Sequence, residues 1–363
     1  MTEKSWAGQV IDEFFAVRKS PTRSQCDRLA LSISEASEVH PVDVPGSLSY
    51  TVVCTRTQSH DQHQKESIIL SFRQSPSRLD EEIVGLAQVI HGCLVPHGRN
   101  HGIMSGSDPP LSIYTMPLLP GVACLETLSY QADMSPDEEA KHICFVMPLA
   151  RYFARCWATP QPMEHQTRVE CQAEISHRLA VLKASPSAAV PISIISELET
   201  VLPLLFACEY PQVLMHGDFS KTNILVNPDT YEITGIVDWS LAAVQPFGIE
   251  LDCLFLMTGY MGLSGWHDYT CRPRLWEAFW TEFWAVSGIE DDGGLRRENV
   301  RSTAEKAAKI GAILRYAFDR KADGGPSEIS NNMRVVTDPA TTNGLRVSKI
   351  QSFPGAALSS RRV

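Results

Sequence analysis

The hydrophobic pattern of this chain changes near residue 120, and that change restricts the folds available to it. Between residues 47 and 120, the apolar residues lie in the β-branched and aromatic runs SLSYTVVCTR, KESIILSFRQ and LSIYTM, which are typical of strands. One stretch between the second and third runs has helical spacing, with apolar residues at Ile83, Leu86, Ala87 and Ile90. We therefore predict a small sheet with a helix against it.

From residue 135 onwards the pattern is mostly helical. Ser135, Pro136 and Glu138 have the spacing of a capped helix start. Further helices are predicted over 166–184, 191–207, 272–286 and 298–318. A tryptophan stripe recurs every four residues at 276, 280 and 284, which predicts a core-facing helix surface. A length of 363 residues also favours two domains or two lobes.

A short polar loop interrupts this helical half. His216, Asp218, Lys221 and Asn223 lie between two apolar runs, and a predicted hairpin then ends at Asp238. The hairpin would bring three oxygen-bearing side chains to one edge. Two of them, Asn223 and Asp238, are the hard ligands that Mg²⁺ prefers beside water and phosphates, and Asp218 could accept a proton from an attacking hydroxyl. Lys221 either approaches a phosphate or is a solvated loop lysine, the more common case.

Three separated motifs, HGDFSKTNILV, GIVDW and PFGIELD, resemble those of the aminoglycoside phosphotransferase and choline kinase family. The resemblance covers roughly residues 45–320. It implies an α+β, two-lobed protein-kinase-like fold, with a small antiparallel-sheet N-terminal lobe, a larger mainly helical C-terminal lobe, and ATP in the cleft. The expected division is an N-terminal helical extension (1–40), an N-terminal lobe (41–118), a C-terminal lobe with the catalytic loop and acceptor pocket (119–320), and a loop-rich, partly disordered tail (321–363).

The family motifs also imply roles for individual residues of the C-terminal lobe. Asp218 would be the catalytic base, and Asn223 and Asp238 would be the Mg²⁺ ligands. His216 would brace the catalytic loop. Asp252 would anchor that loop from below, which is a structural role.

The N-terminal lobe matches the family less closely. PGSLSYTVV stands in for the phosphate-covering turn but contains a single glycine, and Arg73 occupies the strand position where the family has a lysine. Arginine keeps the charge but is not equivalent to lysine. Either Glu81 or Glu82 could pair with it, and YTMPLLPG resembles the hinge that binds adenine. The implied nucleotide-binding residues are Gly46, Ser47, Arg73, Glu82, Met116 and Leu118.

Composition restricts the partners and the compartment. A formal net charge of -10 argues against general nucleic-acid binding, which depends on excess Lys and Arg. No apolar run approaches the roughly 20 residues that span a bilayer, and the N-terminus lacks a signal-peptide pattern. The ten cysteines include no CxxC pair, which is typical of reduced thiols. We therefore expect a cytoplasmic protein that uses ATP and Mg²⁺, has a small-molecule acceptor, and has no membrane, nucleic-acid or obligate protein partner.

Other functions are compatible with parts of the pattern. The single-glycine turn and the missing lysine are also expected of a kinase-like fold without phosphotransfer, either a nucleotide-binding pseudokinase or an enzyme diverted to aminoacyl or adenylyl transfer. A protein-substrate kinase is disfavoured, because the segment SLAAVQPFGIELD lacks the A-P-E element and the activation segment. Zinc binding by His91, Cys93, His97 and His101 is also disfavoured, since their spacing fits no structural zinc pattern.

Overall fold

A computed structural model of the chain describes residues 5–57, 65–185, 190–262, 265–290, 294–318, 329, 333–337 and 345–349. Within these ranges, the first lobe combines one sheet with three helices. In chain order the elements are α1 (Trp6–Ala16), α2 (Arg23–Ser34), β1 (Glu38–Pro41), β2 (Ser49–Thr57), β3 (Lys65–Gln74), α3 (Glu81–His91), β4 (Arg99–Ile103) and β5 (Leu111–Pro117). The three predicted strand runs correspond to β2, β3 and β5.

The strands of this lobe form one antiparallel sheet in the order β1-β2-β3-β5-β4. Helices α1 and α2 cover it: Ile11, Phe14 and Ala30 are buried in the same cluster as Val52 and Phe72 of the sheet. Burying a side chain of the size of Ile11, Phe14 or Phe72 contributes roughly 1.5–3 kcal/mol. Both helices are capped at their first turn, α1 by Ser5 and α2 by Thr22, which satisfies backbone N–H groups there.

Helix α3 differs from the sequence prediction in what it packs against. It begins after Asp80, whose carboxylate accepts hydrogen bonds from the N–H groups of Glu82 and Ile83. Its buried residues Ala87 and Ile90 belong to the core cluster of the second lobe. Helical spacing identified the apolar face but not its partner, and α3 therefore ties the sheet lobe to the helical lobe.

The second lobe is predominantly helical with short strand pairs. Its elements are β6 (Val122–Ala123), α4 (Cys124–Thr127), α5 (Pro136–Ala158), α6 (His165–Ala184), α7 (Ile192–Leu205), β7 (Gln212–Met215), β8 (Ile224–Val226), β9 (Ile233–Ile236), β10 (Ala243–Pro246), α8 (Asp252–Met257), β11 (Gly259–Gly262), β12 (Gly265–Asp268), α9 (Arg272–Ser287), α10 (Leu295–Tyr316), β13 (Met333–Thr337) and β14 (Leu345–Lys349). All five predicted helices of this region are present.

Two clusters form the core of this lobe. The larger joins α5, α9 and the strands that flank the polar loop, and Trp280 is buried in it, with Trp276 and Trp284 partly buried against it. The tryptophan stripe is therefore part of the core, as predicted. The second cluster joins α6, α7 and α10 through residues such as Leu179, Leu198 and Ile310.

The last part of the chain is described only in part. Strands β13 and β14 pair antiparallel there, a hairpin that composition did not predict. The other residues of the predicted loop-rich tail, apart from residue 329, lie outside the described residues. Within the described ranges, no helix is both long enough and apolar enough to cross a membrane.

Candidate active site

The polar loop lies between β7 and β8, at the centre of the second lobe. Three antiparallel strands, β6, β8 and β9, form the sheet beneath its end, and β7 pairs with β10. Gly217 has a φ of +79°, and a side chain there would collide with the carbonyl oxygen of Leu241. Only glycine fits this close approach between His216 and Asp218.

Asp218 and Asn223 are in direct contact. The Asn223 Nδ2 group donates to the backbone oxygen of Asp218 at 2.9 Å and to its Oδ2 at 3.1 Å. Because the amide nitrogen is occupied by Asp218, Oδ1 is the atom of Asn223 suited to a cation. The side chain of Asp218 is about one-third exposed, as expected of a group that must reach a substrate.

Asp238 follows β9 and meets Arg73 of the other lobe. The Arg73 Nη1 group donates to Asp238 Oδ1 at 2.8 Å and to the Ser77 backbone oxygen at 3.0 Å, and Ser240 also donates to Oδ1. Asp238 has a φ of +66°, a left-handed conformation that is uncommon for a residue other than glycine. Although burial opposes ionisation, the Arg73 guanidinium keeps the pKa of Asp238 below its ordinary value.

His216 connects these two groups of residues. It is fully buried, its Nε2 lies 2.8 Å from the Val237 oxygen, and its Nδ1 accepts the backbone N–H of Asp218 at 3.2 Å. This bonding assigns the proton to Nε2. Burial lowers the pKa of His216, so the ring is neutral at physiological pH. One imidazole thus fixes the loop that carries Asp218 to the segment that carries Asp238.

Glu250 contacts the start of the catalytic loop directly. Both Glu250 oxygens accept backbone hydrogen bonds, from His216 at 2.9 Å and from Gly217 at 2.7 Å. Burial raises the pKa of Glu250 to about 7. The anchoring role of Asp252 stays a prediction, and its Oδ2 accepts a hydrogen bond from Arg315 at 2.6 Å.

Sequence reasoning missed both Glu250 and Arg315. Arg315 Nη1 also lies 3.4 Å from Asp218 Oδ1, so its guanidinium connects Asp252 to Asp218. A signal was available for each: Glu250 lies within the PFGIELD motif, and Arg315 follows the apolar stretch IGAIL on a predicted helix. A charged residue in such a stretch requires a partner if it is buried.

Lys221 is not a solvated loop lysine. Its Nζ donates to the Gly259 backbone oxygen at 2.9 Å, and burial lowers its pKa to about 8. Its own backbone oxygen accepts the N–H of Leu125. Lys221 therefore joins the polar loop to the β11–β12 hairpin and to α4.

The predicted phosphate-covering turn lies close to Arg73 in the sheet. Gly46 and Ser47 are exposed in the connection from β1 to β2. The next residue, Leu48, accepts hydrogen bonds from the backbone of Gln74 and the hydroxyl of Ser77, and Ser49 pairs with Arg73 in the register of β2 and β3. The turn is therefore fixed beside the strand end that carries Arg73.

The predicted hinge joins β5 to β6. Met116 pairs with Ile69 on β3, and the exposed Leu118 follows the strand. The hinge is fastened to the β8–β9 hairpin, since the Thr234 hydroxyl donates to the Pro120 oxygen at 2.5 Å. The structure thus places the hinge against the same hairpin that positions Asn223 and Asp238.

The suggested partners of Arg73 do not pair with it. Glu82 is exposed at the start of α3, and Glu81 accepts a hydrogen bond from Asn100. Among the described residues, the ion pair of Arg73 is with Asp238. Both glutamates lie in the first turn of α3, where acidic residues favour the helix dipole, and this accounts for their position.

Similarity to known proteins agrees with this geometry. The model of the phosphotransferase enzyme family matches residues 84–280, more than half of the chain. The match includes Asp218, Asn223 and Asp238 but not Arg73 or Arg315. A search among curated proteins finds no significant match.

Several solved structures resemble the fold. An ethanolamine kinase from Plasmodium vivax has a TM-score of 0.50 at 11% identity, covering 86% of this chain and 88% of that one. A choline kinase from Streptococcus pneumoniae has a TM-score of 0.41 at 10% identity (83% and 94% covered), and an aminoglycoside phosphotransferase from Streptomyces rimosus has 0.40 at 15% identity (78% and 98%). The likeness to the ethanolamine kinase confirms the predicted two-lobed, protein-kinase-like fold.

Proposed function

Because this chain belongs to the phosphotransferase enzyme family, we propose that it transfers the terminal phosphoryl group of ATP to a hydroxyl group of a small molecule. The observation that carries the proposal is that Asn223 contacts Asp218, that the Asn223 backbone oxygen accepts the N–H of Val237 beside Asp238, and that Asp238 pairs with Arg73. Two carboxylates and an amide oxygen near a buried guanidinium match the needs of phosphoryl transfer, which depends on positioning and charge neutralisation.

The residues present fit a nucleotide phosphate and a divalent cation. Arg73 is buried, and its Nε has no hydrogen-bond partner among the described residues. A buried donor without an acceptor is costly, so an anion that accepts from it would be bound favourably. Asn223 Oδ1 and the half-exposed Asp238 carboxylate would hold Mg²⁺. When bound, MgATP supplies the phosphoryl group through its ATP and, through its Mg²⁺, the positive charge that neutralises the phosphate oxygens.

The protein's own groups divide the remaining work. Asp218 orients the acceptor hydroxyl and accepts its proton, since it is the exposed carboxylate of the loop. Asn223 holds the Asp218 carboxylate, and neutral His216 keeps the catalytic loop at a fixed distance from Asp238. Such orientation is where an enzyme of this kind gains most of its rate.

The segment after Asp238 supports a small-molecule acceptor over a protein acceptor. It runs through a single turn at Trp239–Leu241 and then pairs as β10 with β7. Its backbone hydrogen bonds are therefore taken by its own lobe. A protein kinase uses this part of the chain as an activation segment that binds the peptide substrate.

The test is ADP release from MgATP by the purified protein with a panel of amino alcohols, aminoglycosides, sugars and hydroxylated metabolites. The Asp218→Asn variant serves as the blank, because it keeps the shape of the side chain but removes the base. A compound-dependent signal that the variant lacks supports the proposal and identifies the acceptor class. Equal signals from the two proteins would refute the role of Asp218.

A kinase-like fold without phosphotransfer is the second candidate. The observation that favours it is Arg73, which occupies the lysine position of the family and already forms an ion pair with Asp238. Thermal unfolding with and without MgATP separates the two cases. An unchanged midpoint at millimolar MgATP would favour a lost nucleotide site, because a bound ligand stabilises the folded state by mass action.

A further inference from the structure

Helix α10 packs closely against the segment Gly248–Glu250, which lies next to the catalytic loop. A side chain on Gly311 would collide with the Ile249 backbone oxygen, and one on Gly248 would lie 2.9 Å from Ala304. Glycine at both positions allows the helix to touch the segment that contains Glu250. One helical turn after Gly311, the same face of α10 carries Arg315.

The Arg315 guanidinium lies between two carboxylates. Its Nε donates to Asp252 Oδ2 at 2.6 Å, and its Nη1 lies 3.4 Å from Asp218 Oδ1. The side chain of Arg315 is 11% exposed and that of Asp252 is 1% exposed. A buried guanidinium paired with the buried Asp252 carboxylate has little freedom to rotate, because breaking such a pair leaves a charge uncompensated.

The two oxygens of Asp218 are therefore held from two sides. Asn223 contacts Oδ2 from within the catalytic loop, and Arg315 contacts Oδ1 from α10. With both oxygens fixed, the plane of the carboxylate is fixed as well. A side chain held by Asn223 alone could rotate its second oxygen away from a substrate hydroxyl.

We propose that Arg315 is a positioning residue for the phosphoryl transfer, which holds the Asp218 carboxylate in the orientation that receives the acceptor hydroxyl. The inference rests on the proposed function. Arg315 lies 35 positions beyond the end of the family match at residue 280, so the family model assigns it no role. Asp252 acts through it, since Asp252 fixes the guanidinium and the guanidinium fixes Asp218.

A cavity beside Arg315 makes the proposal testable by chemical rescue. It has a volume of about 180 Å³ and is lined by Gly217, Glu250, Asp252, Gly311 and Arg315, among others. An engineered cavity of about 150 Å³ in another protein accommodates benzene. Free guanidinium is smaller, so it can occupy the space left by Arg315→Ala and bridge the same carboxylates.

The experiment compares Arg315→Ala, Arg315→Lys and the wild type, with the acceptor found by the panel. We expect Arg315→Ala to lower kcat by a factor on the order of 100, the effect of a misplaced catalytic group, with the KM for MgATP unchanged. Millimolar guanidinium should restore part of the kcat, whereas urea should not. Arg315→Lys keeps Asp252 compensated and the protein folded, but a single ammonium does not bridge both carboxylates, so we expect an intermediate loss.

Arg301→Ala is the matched control. Arg301 lies on the same helix, about 20 Å away at 1.5 Å per residue, and pairs with Glu277 and Glu305. Its loss should lower the unfolding temperature without changing kcat. If Arg301→Ala lowers kcat as much as Arg315→Ala does, or if Arg315→Lys retains full kcat, the positioning role is wrong.

A double-mutant cycle separates this inference from the proposed function. Free energies of unfolding of the wild type, Asp218→Asn, Arg315→Lys and the double variant should be non-additive if the two side chains interact. Additive values would overturn the inference whatever the activity. If the free energies are non-additive but the protein never releases ADP, the proposed function is wrong, and so is the catalytic role of Arg315. The contact between Arg315 and Asp218 would still be supported.

Discussion

The Glu250 carboxylate accepts the backbone N–H of His216 at 2.9 Å, and with its other oxygen it accepts the N–H of Gly217. This fixes the start of the catalytic loop from below. The loop is also fixed from the side, because the His216 ring contacts the Val237 oxygen. Asp218 follows directly, so its position depends on the Glu250 carboxylate and the His216 imidazole.

Replacing Glu250 with glutamine should alter how stability depends on pH. Burial raises the pKa of Glu250 from 4.5 to about 7, so between these values the folded state binds more protons than the unfolded state. The contribution of Glu250 to the free energy of unfolding is therefore fully present below about pH 4.5 and is lost as pH rises through about 7. This contribution is roughly 3 kcal/mol at most. Glu250→Gln lacks this titration.

The measurement is the free energy of unfolding by urea between pH 5 and 8 in both proteins. We expect Glu250→Gln to be less stable at pH 5 by an amount that shrinks as pH rises. Its amide also places a donor opposite one backbone N–H, which costs about 1–3 kcal/mol. A difference that stays constant across this range would show that Glu250 does not titrate there.

Local patterns were sufficient to predict the elements, but not every contact between them. Alternation and β-branched residues identified β2, β3 and β5, and helical spacing identified α5 to α7, α9 and α10. The partner of α3 was not predictable from its apolar face, since Ala87 and Ile90 suit a sheet and a helix equally well. The short strands β1, β4, β11 and β12 escaped notice because their residues alternate weakly.

The candidate site likewise has residues whose proximity the sequence predicts and residues whose contacts it does not predict. Asp218, Asn223 and Asp238 were predictable because one hairpin brings them together within a short span of sequence. Arg315 lies 97 positions from Asp218, and its approach depends on the close packing at Gly311, which a single sequence does not reveal. The roles of Gly46, Ser47, Met116 and Leu118 in nucleotide binding stay predictions.

Removing the charge of Arg73 should weaken nucleotide binding. Arg73 lies at the strand end beside the turn that contains Gly46 and pairs with Asp238. A charge-assisted hydrogen bond contributes about 1.5–3 kcal/mol, so we expect Arg73→Met to lower the affinity for MgATP about 10- to 100-fold. The affinity of Arg73→Lys should lie between those of the wild type and Arg73→Met. Isothermal titration calorimetry with a non-hydrolysable ATP analogue and Mg²⁺ gives the dissociation constants.

Arg56→Met is the control for Arg73. Arg56 also ends in an ion pair on the sheet, with Glu35, but that pair is largely exposed. Its removal should leave MgATP affinity unchanged. Equal affinities of Arg73→Met and wild type would exclude Arg73 from the nucleotide site.

Replacing His216 with phenylalanine should cost both stability and turnover. The ring shape is retained, but the hydrogen bonds to Val237 and Asp218 are lost, and a buried carbonyl is left without its donor at a cost of about 1–3 kcal/mol. Because the link between Asp218 and Asp238 is also lost, kcat should fall more than the loss of folded protein explains.

His142→Phe distinguishes the two effects of His216→Phe. His142 is equally buried and lies 2.9 Å from the Glu138 backbone oxygen on α5, within its own helix. We expect a comparable fall in the urea midpoint with kcat per folded molecule unchanged. If both variants lose kcat in proportion to stability alone, His216 has no specific role in positioning Asp218.

Lys221→Met should loosen the β11–β12 hairpin while leaving nucleotide binding intact. The Lys221 ammonium is the donor to the Gly259 oxygen at the start of this hairpin, and methionine has a similar length but no donor. Amide hydrogen exchange across Gly259–Gly262 should therefore be faster in the variant, since exchange reports local opening. Lys183→Met, which removes an ion pair with Glu199 on α6 and α7, should leave exchange in the hairpin unchanged. Unchanged exchange in Lys221→Met would mean that the hairpin is held by its own β11–β12 pairing, and that the buried lysine serves the catalytic loop alone.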